Sequence, residues 1–219
     1  MAGPAQGVFV TGTGTEVGKT VVAAVLARTL AADGRRVAVF KPCVTGLEEP
    51  GETDHELLRR ASGSFQSDEE IAPYRYAPPA SPHLAAALAG EEIEPTRLRA
   101  AAAAAAADAE AIVCEGVGGL LVPLSPAYSV RDFAVDLGYP LVVVAPPGLG
   151  TINHTLLTLE AARAAGLAVA AVVLTPWPAA PSEIERDNRA TIAARGDVAV
   201  HTLPELDLGA PETWPALRT

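Results

Sequence analysis

Three glycines, a lysine and a threonine near the amino end carry the first recognisable chemistry of this chain, in GVFVTGTGTEVGKT at residues 7–20. An apolar run (Val8, Phe9, Val10) leads into a turn bearing Gly12, Gly14 and Gly18, and Lys19-Thr20 opens a helical pattern through Val21. Backbone N–H groups of such a turn and of the first helical turn converge on one point, which suits a polyphosphate. The Lys19 ammonium adds a movable positive charge, and the Thr20 hydroxyl can hold Mg²⁺ against phosphate oxygens. The spacing departs from the common form. Five residues instead of four separate Gly12 from Gly18, among them Thr15, Glu16 and Val17. A plain strand-to-helix turn would also use glycine for its backbone angles, but it has no need of Lys-Thr. These residues predict a nucleoside triphosphate site.

Further along, ionisable residues stand directly after apolar runs. Lys41 follows RVAVF and opens KPCVTG, which also holds Thr45; Asp54 comes soon after; Glu115 follows AIVC and precedes the glycines of GVGG, Gly116 and Gly118 flanking Val117. In parallel sheets, ligands gather outside the carboxyl ends of the strands, so these side chains are candidates for one site. A triphosphate with Mg²⁺ needs oxygen ligands near Thr20, and Asp54 and Glu115 can supply them. PPGLG at residues 146–150 leads into another helix start, at Gly150, Thr151 and Asn153, suited to an anion. Each residue alone also fits a plainer role. Asp54 would suit the first turn of any helix, Glu115 a solvated strand end, and Lys41 an exposed surface. The four histidines show no paired ligand spacing, and Trp177 would serve packing as well as stacking on a base.

The elements that must position these residues alternate strand and helix. Helices are expected over 19–33, ended by Gly34, and over 53–61, where Thr53 and Glu56 form a capping-box pattern. Ser81-Pro82 and Glu94-Pro95 open two more, the second alanine-rich. Others are expected from Ser129 to Leu137, over 151–165 and after Ser182. Strands are expected over 36–40, 111–114, 140–145, 168–174 and 198–202, with an irregular excursion over 62–80. Near-continuous apolar strands between helices predict a single α/β domain over residues 1–219, with a mostly parallel sheet covered on both faces. With 49% hydrophobic residues and a formal net charge of −10, the chain does not suit disorder, nucleic acid or anionic membranes. MAGPAQG lacks the regions of a signal peptide and no apolar run approaches the ~20 residues of a span, so a cytoplasmic protein with Cys43 and Cys114 reduced is expected.

Taken together, these blocks resemble the dethiobiotin synthetase family of P-loop enzymes. The likeness covers nearly the whole chain and rests on GTGTEVGKT, KPCVTG, Asp54, ASPH at 80–83, CEGVGGLLVPL at 114–124 and LGTINHTLLTLEA at 149–161. The long phosphate loop is the form that family uses. The resemblance implies an ATP- and Mg²⁺-dependent ligase that carboxylates 7,8-diaminononanoate with CO₂ and closes a cyclic urea. On that pattern Lys41, Lys19 and Thr15 are catalytic; Thr20, Asp54 and Glu115 hold the metal; and Thr45, Lys41, Gly150, Thr151 and Asn153 meet the diamine. Nucleotide contacts fall on residues 16–21, on Asp54, and on Glu115, Gly116, Val117 and Gly118. A homodimer with its active site at the interface is also implied.

Three places depart from that pattern. Gly14 stands where many members carry aspartate, which predicts a looser loop. Thr175-Pro176 replaces the Asn-Asp that reads the base, leaving backbone groups there and around Pro204, Glu205 and Leu206 to do so; CTP and other triphosphates become credible beside ATP. Asn188 falls where some members place a tyrosine near the substrate carboxylate. The alternative class is a nucleotide-switched partitioning or positioning ATPase of similar fold. Such proteins carry an extra lysine early in the loop, absent between Gly12 and Val17, and the tail LDLGAPETWPALRT offers no basic amphipathic helix. An amide-forming synthetase of the cobalamin type would need a glutaminase domain, for which no length remains.

Overall fold

In the computed structural model, which describes residues 5–219, β1 (Gln6–Gly12) enters the phosphate-type loop and α1 (Lys19–Ala32) returns along the sheet to β2 (Val37–Phe40). The chain then leaves the sheet through β3 (Val44–Thr45), α2 (Asp54–Ser62), α3 (Asp68–Ile71) and β4 (Arg75–Tyr76). After α4 (Pro82–Leu88) and α5 (Pro95–Ala107) it re-enters as β5 (Ala111–Gly119), then makes a hairpin of β6 (Pro123–Ser125) and β7 (Tyr128–Ser129). The rest alternates: α6 (Val130–Leu137), β8 (Leu141–Ala145), α7 (Thr151–Ala164), β9 (Val169–Trp177), α8 (Glu183–Gly196) and β10 (Val200–Pro204).

Six of these strands form one sheet in the order β10-β9-β8-β1-β5-β2, and every neighbouring pair is parallel. The strand order reverses at β1, with β5 and β2 on one side and β8, β9 and β10 on the other. Such a reversal opens a crevice at the carboxyl ends of the strands. The phosphate loop leaves β1 at that crevice.

The sheet is buried on both faces, which is why VAVF and LVVVA read as unbroken apolar runs. Alternation along each strand feeds two cores. Phe9, Phe40, Ile112 and Cys114 join Phe133 of α6 on one face, where Phe9 and Phe133 meet edge to face at 6.0 Å. Val10, Val39, Val113, Val142 and Val144 pack with α1 on the other. Each such buried aliphatic side chain contributes roughly 1.5–3 kcal/mol.

The single-domain doubly wound sheet matches expectation, but three local features differ. The stretch 62–80 is ordered, with α3 opened by a Ser67/Glu70 capping box and β4 paired in parallel with β3. It lines the outer edge of β2: Gln66 Oε1 accepts the Val39 N–H at 2.8 Å, and the Ile71 carbonyl accepts the Lys41 N–H at 2.8 Å. β5 does not end at Cys114 before a glycine turn; it continues through Glu115 to Gly119, pairing Gly12 with Gly119. The β6–β7 hairpin has no counterpart among the expected strands, since its own strands are only two or three residues long. Cys43 and Cys114 are free and buried. Among the described residues no helix is long and apolar enough to cross a membrane.

Candidate active site

Strand parity brings the central residues together. Val39 and Val113 face α1, so Lys41 and Glu115, two positions further along adjacent strands, face it too. Lys41 Nζ lies 2.6 Å from Glu115 Oε1 and 2.6 Å from Asp54 Oδ2. Asp54 reaches this point from the first turn of α2, fixed by the Thr53/Glu56 capping box, in which Glu56 accepts the Thr53 N–H at 2.8 Å. The plainer role, a carboxylate favoured by the helix dipole, holds as well, but the side chain also pairs with Lys41. Thr20 Oγ1, at the start of α1, stands 2.9 Å from Asp54 Oδ1 and 2.9 Å from Glu115 Oε1.

The electrostatics follow from depth. Lys41 is 3% exposed and Glu115 fully buried. Burial alone would lower the Lys41 pKa, but the Glu115 and Asp54 carboxylates more than offset it and hold the ammonium well above its ordinary value. Burial pushes the Glu115 carboxyl up, with Lys41 pulling it back. Asp54 is partly exposed; burial would raise it, but Lys41 and the Thr20 hydroxyl hold it below the usual carboxylate range. Burial lowers Lys19, the nearby Lys41 charge adds to that, and Glu115 opposes it.

The donor set fits a hard divalent cation. One hydroxyl proton cannot serve two carboxylates at once, yet Thr20 Oγ1 sits equally close to both. Oxygens about 2.9 Å apart form the edge of an octahedron whose metal–oxygen distance is about 2.0–2.1 Å. Glu115 Oε2 is buried with no hydrogen-bond partner, a lone-pair donor left over. Among the described residues no group of three or more His, Cys, Asp and Glu side chains is placed to hold a metal. A cation here would therefore take two carboxylates and a hydroxyl, completing its shell with water and phosphate oxygens.

The phosphate loop is closed on itself: Lys19 Nζ donates to the Gly14 carbonyl at 2.8 Å. Glu16 holds a left-handed φ of 58° and Gly18 one of 89°. A Cβ on Gly18 would lie 2.8 Å from Thr175 Cγ2, so the end of β9 packs directly on the loop. Thr175 thus touches the loop through a methyl group, and Pro176, joined to it by a cis peptide bond, is exposed. Thr15 and Glu16 are exposed at the loop tip and Val17 folds back toward Gly12, where a Cβ would lie 2.7 Å from Val17 Cγ2. Gly118 approaches Thr15, but Gly116 is small for another reason: a Cβ there would meet Val130 Cγ1 at 2.9 Å and Phe9 Cε1 at 3.2 Å. Val117 packs on the Phe9 core and Val21 on the α1 core.

The remaining candidates stand apart from this cluster. Thr45 sits in β3, half-buried. The Thr151 side chain turns inward, its hydroxyl 3.5 Å from that of Thr155, and its N–H donates to the Gly148 carbonyl at 3.3 Å, so Thr151 itself offers no free donor where the sequence leads one to expect a contact; Gly150 and Asn153 are exposed. Pro204, the last residue of β10, and Glu205 just beyond it are exposed, whereas Leu206 packs against the α1 core. A cavity of about 500 Å³ opens beside the loop, lined by Gly12, Thr15, Leu121, His154 and Leu157.

Known proteins with this sequence pattern decide the family. Residues 6–212 match an AAA domain model. The ATP-dependent dethiobiotin synthetase BioD of Anaeromyxobacter dehalogenans (strain 2CP-1) is 49% identical over 170 residues, 77% of this chain and 76% of that protein. The protein of the same name from Bacillus subtilis (strain 168) is 36% identical over 184 residues, 84% of this chain and 80% of its own. The chain belongs to the dethiobiotin synthetase family. That from Bacillus cereus (strain B4264) extends the match to 89% of this chain at 38% identity. The kinase domain of the Escherichia coli tyrosine kinase ETK is similar at 17% identity and a TM-score of 0.46, too slight to bear on chemistry. As a dethiobiotin synthetase family member the chain is an ATP-dependent enzyme on a P-loop fold, and the partitioning-ATPase alternative falls away.

Two residues of consequence carried no clear sequence signal. Gln66 covers the β2 edge from 27 residues away. Asn188, noted only as a departure, is buried and donates to the Pro147 and Gly148 carbonyls at the foot of α7.

Proposed function

We propose that the chain is an ATP- and Mg²⁺-dependent ligase that converts 7,8-diaminononanoate and CO₂ to dethiobiotin, ADP and phosphate. The observation that carries this is Lys41, a buried ammonium beside the two carboxylates that share Thr20. A phosphate loop needs one lysine for the nucleotide, and Lys19 is that one. Lys41 is a second cation, held next to where a γ-phosphate would lie, and an anionic acceptor would call for it.

One amine of the diamine adds to CO₂, forming a C–N bond and shedding a proton to give a carbamate. The carbamate oxygen attacks the γ-phosphorus, and the bond from phosphorus to the ADP oxygen breaks. The second amine then attacks the carbonyl carbon; the C–O bond to phosphate breaks, phosphate leaves and the amine proton passes to solvent. Lys41 stabilises the carbamate and the transferring phosphoryl, while Lys19 releases Gly14 and neutralises charge on the β- and γ-phosphates. Thr20, Asp54 and Glu115 would hold Mg²⁺, which spreads the phosphate charge when bound. Thr15 and Thr45 supply hydroxyl contacts to phosphate and diamine. The free N–H groups at Gly150 and Asn153, on either side of Thr151 at the start of α7, receive the distal carboxylate, from a second copy of the chain. Leu149, 95% exposed on its loop, together with exposed Leu121 and Leu157 at the loop-side cavity, supports that homodimer. Its setting is the cytoplasm.

For the base, Thr175-Pro176 offers a methyl and a ring where paired amide groups would be needed. Reading therefore falls to backbone groups near Pro176, Pro204, Glu205 and Leu206, which discriminate weakly. Incubation with diaminononanoate, bicarbonate and Mg²⁺, with ATP or CTP in turn, tests both points by mass spectrometry of the cyclic urea. Product with either triphosphate, at efficiencies within about tenfold or 1.4 kcal/mol, is expected. Nucleotide hydrolysis without the urea would overturn the reaction, and an ATP preference of several hundredfold would overturn the base reading.

A further inference from the structure

We propose that Asn188 is the positioning residue that presents the amino end of α7 to the substrate carboxylate; this rests on the function proposed above and adds to it the element that shapes diamine recognition. Asn188 lies within α8 and is 5% exposed. Its Nδ2 donates to the Pro147 carbonyl at 2.9 Å and the Gly148 carbonyl at 3.1 Å, so both amide hydrogens are spent. The side chain therefore has no donor left for a ligand. It works on the loop between β8 and α7.

That loop presents carbonyls and N–H groups to the same small region, and their arrangement decides which sign of charge it welcomes. The Gly148 carbonyl also accepts the Thr151 N–H at 3.3 Å. Bound to a buried amide, the two carbonyl oxygens are drawn toward α8 and off the approach path of an anion. The N–H groups of Gly150, Ile152 and Asn153 have no backbone carbonyl partner among the described residues; they are the donors a helix leaves free at its amino end. Further along, Arg163 of α7 donates to the Asp197 carbonyl at 3.1 Å and to that of Gly196, so α8 is fastened to α7 at a second point. The Asn188 link thus transmits the position of a braced helix to the loop. Recognition of the carboxylate falls on backbone amides alone, with their aim set from behind.

The test compares 7,8-diaminononanoate with a vicinal diamine of the same chain length lacking the carboxylate. Asn188→Asp keeps the side-chain shape but turns acceptors toward two carbonyls; Asn188→Ser keeps one donor. For Asn188→Asp, KM for diaminononanoate should rise on the order of 10- to 100-fold, the scale of an angstrom-sized misplacement. KM for the triphosphate and turnover of the carboxylate-free diamine should stay at wild-type values, and Asn188→Ser should fall between. An equal loss with both diamines, or none with either, would overturn the assignment, and should Asn188→Asp not fold the Ser variant decides alone. A wild-type enzyme that forms cyclic urea from neither diamine would instead sink the proposed function, so the two failures are told apart.

Discussion

At the scale of single residues, Lys41 is the most informative side chain, because it sits between two carboxylates that a metal would also use. Replacing it with methionine keeps the stem and removes the charge. Lys41→Met should cut turnover by at least about 10²- to 10³-fold, the usual cost of one electrostatic stabiliser, while triphosphate affinity by calorimetry stays within a few-fold; near-normal turnover would remove Lys41 from the mechanism. The same variant makes a pH prediction. Burial already pushes Glu115 up, and without Lys41 the folded state holds its proton to still higher pH than the unfolded chain does. A folded-state pKa raised in this way costs stability as pH climbs through it. The melting deficit of Lys41→Met should therefore be small near pH 5 and widen toward pH 8, approaching about 3–5 kcal/mol for a buried charge that has lost its partner. A deficit independent of pH would contradict this. Glu115→Gln should sharply raise the Mg²⁺ concentration needed for half-maximal activity, and an unchanged titration would make Glu115 structural.

At the scale of elements, local chemistry in the sequence was a good guide where the interactions are themselves local. The Thr53/Glu56, Ser129/Asp132 and Ser182/Glu185 boxes lie at real helix starts. The central site residues were legible from local pattern: Lys19 and Thr20 open α1 after a glycine turn, Asp54 opens α2 behind its cap, and Lys41 and Glu115 follow apolar strand runs whose period-two alternation turns both toward α1. The 62–80 excursion was not legible, since Gln66 and Ile71 are ordered by bonds to β2 and β4 by a two-residue partner. Nor was the role of Asn188, whose acceptors lie 40 and 41 residues away. The extent of β5 yields a stability prediction. Gly116→Ala would drive a Cβ to 2.9 Å from Val130 and 3.2 Å from Phe9, and overpacking of this kind costs about 1–3 kcal/mol. Chemical denaturation should show that loss, whereas wild-type stability would mean that glycine serves the ligand and not the core.

At the scale of the whole molecule, the parallel sheet gathers residues from four separate strand ends into one crevice, and the exposed Leu121, Leu149 and Leu157 border it. A dimer built on that border should have twice the 22.4 kDa chain mass by light scattering. Leu149→Glu, at a position 95% exposed in the single chain, should leave melting intact but give a monomer with little ligase activity; a wild-type monomer in solution would contradict the shared site. In the proposed reaction a carbamate, and not water, takes the γ-phosphoryl group. This is tested most directly by a single turnover with ATP, diaminononanoate and freshly dissolved ¹³C¹⁸O₂ in unlabelled water, with both products weighed by mass spectrometry. Attack by a carbamate oxygen sends one ¹⁸O into the released phosphate and leaves ¹³C in the urea carbonyl. Phosphate free of ¹⁸O, with or without labelled urea, would contradict the account.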